Sequence, residues 1–82
     1  MNITDFSLTN ADDTGALFDI FQHSTEQHHV VIQRERKRTP GKVRRHSVSV
    51  IAPSGYDLGG GYAYSFAEAV DVAQRTIDNL PY

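Results

Sequence analysis

Seven basic side chains crowd into twelve positions, Arg34, Arg36, Lys37, Arg38, Lys42, Arg44 and Arg45, and Glu35 is the only acid among them. Arginine forks grip phosphate oxygens in pairs, and lysine adds a mobile point charge, so this density points to a polyanion or an acidic protein surface. The segment carries +6, whereas the stretch through Gln27 carries −5 and the stretch from Pro53 carries −3. A net charge of −2 therefore conceals a strong dipole. Like charges facing one another across a hairpin destabilise it by up to ~1 kcal/mol per pair. Keeping an exposed edge soluble is the bland explanation for such a run. The repulsion favours a binding role that offsets it. Neutralising Arg34, Arg36, Arg44 and Arg45 is accordingly expected to remove binding and to leave the fold intact or more stable.

The other candidates for chemistry are weaker. Tyr62 and Tyr64 share a strand face and could stack on bases, although packing on the sheet would also use them. His23, His28, His29 and His46 show no zinc-enzyme spacing, so no metal site is expected. Gly59-Gly60-Gly61 precedes a helix start but lacks the lysine and the spacing of a phosphate-binding loop. A bulge that lets helix and strand approach closely accounts for it better. Asp12, Asp13, Asp19, Glu26, Glu68, Asp71 and Asp78 could imitate a phosphate backbone, but solvated helix faces explain them. No nucleophile and base can be paired, so no catalytic residue and no cofactor are assigned and an enzyme is not expected.

The elements that must position these residues fit in one domain spanning 1–82, because 82 residues do not fill two cores. A hydrophobic fraction of 39% suits a folded globule. The absence of cysteine excludes disulfide frameworks and thiolate chemistry. Met1 to Thr9 lacks the basic and apolar regions of a signal peptide, and no stretch approaches the roughly 20 apolar residues of a bilayer span. A cytoplasmic location without membrane contact is expected.

Residues 2–9 read as an extended arm or a short edge strand. A first helix is expected from about Asp12 to Thr14, burying Leu17, Phe18, Ile20 and Phe21 and fraying near His23 and Ser24. His29 to Lys37, Val43 to Ala52 and Tyr56 to Tyr64 read as strands, with a turn at Thr39-Pro40-Gly41-Lys42 and a break at Pro53-Ser54-Gly55. Placing the valines and isoleucines on one face predicts a hairpin register of Ile32 with Val50, Arg34 with Val48, Arg36 with His46 and Arg38 with Arg44. That register projects a basic finger with a mobile tip. Ser65 to Glu68 fits a capping box, and Phe66, Ala69, Val70, Ala73, Ile77 and Leu80 recur at helical spacing. The last helix is expected over Phe66 to Asn79, burying Val70, Ala73 and Ile77. The predicted fold is α+β, in the order α-β-β-β-α, with a three-stranded antiparallel sheet and both helices on one face.

This order, and the passage from Gly59-Gly60-Gly61 through Ser65 to Glu68-Ala69 and Ala73, resembles the double-stranded-RNA-binding domain. The resemblance covers roughly Asp12 to Leu80 as topology and only that junction as motif. It implies the fold but not the RNA site. The family's last helix opens with a lysine cluster, whereas Ser65 to Gln74 holds Glu68 and Asp71 and no base. The family's loop histidine is also missing from Thr39-Pro40-Gly41-Lys42. In size, lack of cysteine and lack of a catalytic motif the chain also resembles small phage or mobile-element accessory proteins, among them anti-CRISPR proteins. The expectation is a non-catalytic module that engages nucleic acid or a nucleoprotein complex through the basic hairpin. A phage-type inhibitor or adaptor that binds a host protein through charged surfaces is the alternative. Oligomeric state is left open.

Overall fold

Phe18–Ser24, expected as the end of a first helix, is a strand. A computed structural model describes residues 1–9, 18–35 and 45–80. In it a short 3-10 turn (Ile3–Asp5) leads into β1 (Ser7–Thr9), followed by β2 (Phe18–Ser24), β3 (His29–Glu35), β4 (His46–Ile51), β5 (Asp57–Ala63) and α1 (Phe66–Asp78). The five strands form one antiparallel sheet in chain order, with β1 and β5 at its edges. This corrects the three-stranded sheet and the α-β-β-β-α order. Among the described residues α1 is the only α-helix.

Local chemistry explains the correction. Phe18 and Ile20 fit a period of two, whereas Phe18 and Phe21 fit a helical one, and so short a stretch does not decide between them. The turn that follows decides the matter. The Thr25 hydroxyl accepts the backbone N–H groups of Gln27 and His28, both at 3.2 Å. The Thr25 amide donates to the His28 carbonyl at 2.9 Å. Threonine thus closes a tight turn containing no glycine or proline, and β2 folds back to pair with β3 from Phe18↔Glu35 to Ser24↔His29. The expected helix start at Asp12 to Thr14, and Leu17 with it, lie outside the described residues. Ser7–Thr9 pairs with Ile20 to Gln22, which settles residues 2–9 as a turn and an edge strand.

The register of β3 with β4 also differs. Val30 faces Val50, Ile32 faces Val48 and Arg34 faces His46. The expected pairing has the right parity, so the correct residues share a face, but it is displaced by two residues. The observed register sets Val30 and Ile32 squarely against Val50 and Val48, the pairing that buries most β-branched surface. Val30, Ile32 and Val50 have no exposed surface. With Val48, Ala63, Ala69, Val70 and Ala73 they make the core, flanked by Phe6, Phe21, Leu58, Phe66, Val72 and Ile77. Each fully buried valine or isoleucine contributes about 1.5–3 kcal/mol.

Helix α1 covers one face of the sheet. The Ser65 hydroxyl caps it by accepting the Glu68 amide at 3.1 Å. It ends one residue earlier than expected, with Asn79 as the cap. Ala69, Val70 and Ala73 are its buried residues, while Ile77 is only half-buried. The glycines of β5 make room for it. A Cβ at Gly59 would lie 3.0 Å from Thr76 Cγ2, and one at Gly61 would lie 3.4 Å from Val72 Cγ1. A shift of register between Val50 and Ile51, with Leu58 as the extra residue on β5, is the expected bulge.

Candidate nucleic-acid interface

Strand parity sorts Arg34 and Arg45, the two members of the basic cluster among the described residues. Arg34 follows Val30 and Ile32 on the helix side of β3. Across the sheet it meets Asp19, its register partner on β2. Its Nη2 donates to Asp19 Oδ2 at 2.7 Å, and its guanidinium carbon lies 5.0 Å from the Phe21 ring centroid. The two charged side chains are 29% and 15% exposed. Arg34 therefore closes the end of the core rather than standing in a solvated finger.

Arg45 lies on the opposite side. The Glu35 amide donates to the Arg45 carbonyl at 3.3 Å, so these residues extend the β3–β4 ladder by one step. Parity places both on the sheet face away from α1. Arg45 Nε is 3.4 Å from Glu35 Oε1, and its guanidinium carbon is 5.3 Å from the Tyr62 ring centroid. The Arg45 side chain is 58% exposed, and such a pair contributes under ~1 kcal/mol. Its charge remains available to a ligand. Arg36, Lys37, Arg38, Lys42 and Arg44, with the turn at Thr39-Pro40-Gly41-Lys42 and the finger tip, lie outside the described residues. They lie in sequence between Glu35 and Arg45, which pair with each other.

Among the described residues no helix covers the face on which Arg45 lies. Across its middle run Gln22, Val31, Ser49 and Gly60 in one row, and Ile20, Gln33, Ser47 and Tyr62 in the next. Amides and hydroxyls dominate these rows. Tyr62 is 64% exposed, so a ring can be contacted from solvent while Arg45 lies over it. Tyr64, also exposed, follows the last residue of β5 where the chain turns toward Ser65. Between Tyr62 and Asp57 the surface dips into a shallow cavity of about 270 Å³, walled by Ser47 and Ser49 on β4 and floored by Gly59, Gly60 and Gly61. The sequence reading placed Asp19 in a solvated helix face and did not name Asp57, Ser47 or Ser49 as site residues. The signal for the serines was the alternation of β4, Ser-Val-Ser-Val, which assigns them to the face opposite the core.

The histidines are dispersed. His23 Nδ1 is 3.1 Å from the Asp5 carbonyl oxygen, His29 Nδ1 bonds the Ser24 hydroxyl, and His46 is buried 6.3 Å from the Phe66 ring. Among the described residues no group of three or more histidines, cysteines, aspartates and glutamates is placed to hold a metal ion. Nor is any helix among them long and apolar enough to cross a membrane.

No family model, curated protein or solved structure matches this chain. The junction that resembles the double-stranded-RNA-binding domain is present as Gly59–Gly61, Ser65 and α1. The helix that should precede the sheet is replaced, in the described residues, by β1 and β2.

Proposed function

We propose that this protein is a non-catalytic module that binds single-stranded nucleic acid along the sheet face opposite α1. The observation that carries this reading is the exposed Tyr62 ring beneath the Arg45 guanidinium. Every base has a π-face, so a tyrosine on an open sheet accepts bases with little regard to sequence. Arg45 and the five basic residues of 36–44 supply the phosphate contacts. Duplex is a poorer ligand. The outer side of α1, the only α-helix among the described residues, carries exposed Glu68, Asp71 and Asp78 against Arg75.

The test is fluorescence anisotropy of a labelled mixed-sequence single strand, titrated at several salt concentrations. Six basic contacts predict a slope of log K against log salt of about −4, from roughly −0.7 per neutralised phosphate. Tyr62→Ala is expected to lose about 1–3 kcal/mol, and Arg45→Ala to flatten the slope by about 0.7. Absence of binding at low salt overturns the proposal. So does a biological activity that is indifferent to Tyr62 and Arg45 but lost on reversing Glu68 and Asp71 to lysine. That second pattern identifies a basic protein partner, as an inhibitor or adaptor would have.

A further inference from the structure

We propose that the cavity between Tyr62 and Asp57 is a base subsite that selects guanine; this rests on the single-strand reading above. The cavity has chemically different ends. Tyr62, with Arg45 over its ring, lies at one, and the Asp57 carboxylate lies at the other, five residues along β5, or roughly 16 Å of strand. A phosphate is drawn to the first end and repelled from the second. What belongs beside Asp57 is a neutral group that donates hydrogen bonds.

The floor suits a flat ring. Gly60 presents bare backbone, and no side chain can replace it, because a Cβ there would fall 2.0 Å from the Val48 carbonyl oxygen. The Ser47 and Ser49 hydroxyls on the facing strand both donate and accept, so they tolerate any base edge. The discriminating group is Asp57. Its Oδ1 accepts the Gly59 amide at 3.0 Å, which holds the carboxylate in place. Each carboxylate oxygen carries two lone pairs, so acceptor capacity for a ligand persists. Guanine alone among the four common bases presents two parallel N–H donors, N1–H and an N2–H, on one edge. It can meet a carboxylate as an arginine fork does. Adenine and cytosine offer one amino group beside an acceptor, which a carboxylate repels. A cavity of about 270 Å³ is below the usual range for drug-sized ligands and takes a single base. The neighbouring base of the strand then stacks on Tyr62.

The experiment compares otherwise identical oligouridine strands carrying one central guanine, adenine, cytosine, inosine or 7-deazaguanine. Guanine is expected to bind about 10- to 100-fold more tightly than adenine or cytosine. Inosine, without the N2 amino group, should lose most of that gain, and 7-deazaguanine, which keeps the whole edge, should lose none. Asp57→Asn can still hold the Gly59 amide through its oxygen, and it should abolish the preference for guanine over the other bases. Tyr62→Leu should weaken all strands together and keep their order. Equal affinities for all five strands, or a guanine preference that survives Asp57→Asn, overturn the subsite and leave single-strand binding standing. Guanosine monophosphate, added alone, should shift the amide resonances of Gly60 and Ser49. Such shifts without oligonucleotide binding would retain the subsite and reject the polymer reading. Absence of both overturns the two together.

Discussion

Replacing Arg34 by alanine is expected to destabilise the protein rather than relieve it. The side chain bonds Asp19 at 2.7 Å across β2 and β3 and lies over Phe21. Exposed ion pairs contribute 0.2–1 kcal/mol, whereas breaking a buried pair costs about 3–5 kcal/mol. Side chains 29% and 15% exposed fall between these cases. A loss of about 1.5–3 kcal/mol follows, of which the ring contact supplies roughly 0.5–1 kcal/mol. A domain of 82 residues has about 4–12 kcal/mol of stability, so the change is large. The midpoint of thermal unfolding should fall by about 6–20 °C. Urea melts of the wild type, Arg34→Ala, Asp19→Asn and the double variant give the coupling directly, expected at about 1–2 kcal/mol. Arg34→Lys, which keeps the charge but loses the fork, should recover only part of it. A single-variant loss under 0.5 kcal/mol with additive effects would refute the reasoning and return Arg34 to the ligand-binding set.

Three further substitutions test the frame that holds the open face. Gly60→Ala forces a methyl group against the Val48 carbonyl and is expected to cost about 3 kcal/mol in denaturant melts; a neutral result would mean the β4–β5 pairing differs from the one described. Ser65→Ala removes the cap of α1 and should lose about 1 kcal/mol, with the amide of Glu68 showing faster hydrogen exchange. Ile32→Ala, at a site with no exposed surface, should lose about 2–5 kcal/mol, and Ile77→Ala, which is half-buried, about 1–2 kcal/mol. The reverse order in the same melts would place the core at the other end of the helix.

The parts of the fold that were legible in the sequence are those where local chemistry admits one answer. Ser65 followed by Glu68 and a helical apolar period fixes α1 to within a residue. Val48 and Val50 alternating with serines fix the faces of β4. The glycine run was correctly read as a device for close packing. What escaped was governed by contacts distant in sequence. Phe18 to Ser24 supports two periodicities, and the choice between them depends on a threonine-closed turn and on β3 as a partner. The two-residue slip in the hairpin has the same origin, since parity is encoded by alternation but alignment is decided by how Val30 and Ile32 meet β4. At the site, the tyrosine and the basic segment could be read from residue type. Asp57 and the two serines were not picked out, because the register that sets Ser47 and Ser49 beside Tyr62 and Gly60, with Asp57 beyond the bulge, is fixed by contacts between strands rather than by residue type.

Counting charge along the chain treats Arg34 and Arg45 as equivalent members of one cluster, whereas the sheet places them on opposite faces. They are eleven positions apart, an odd interval, but the observed pairing sums to an even number. Arg34 thus shares a face with His46, and Arg45 shares one with Glu35. One arginine is covered by Asp19 and Phe21, and the other lies over Tyr62 in solvent. The expectation that neutralising Arg34, Arg36, Arg44 and Arg45 together would spare the fold therefore combines a structural and a functional substitution. The informative variant leaves Arg34 in place. Arg36, Arg44 and Arg45 changed to alanine should keep the urea midpoint within the error of the wild type and flatten the salt slope for single-strand binding by about 2, at roughly 0.7 for each lost phosphate contact. Restoring Arg34→Ala on that background should then lower the midpoint with little further change in slope. If the slope instead falls again by the same increment, Arg34 contacts the ligand and its pairing with Asp19 is given up on binding.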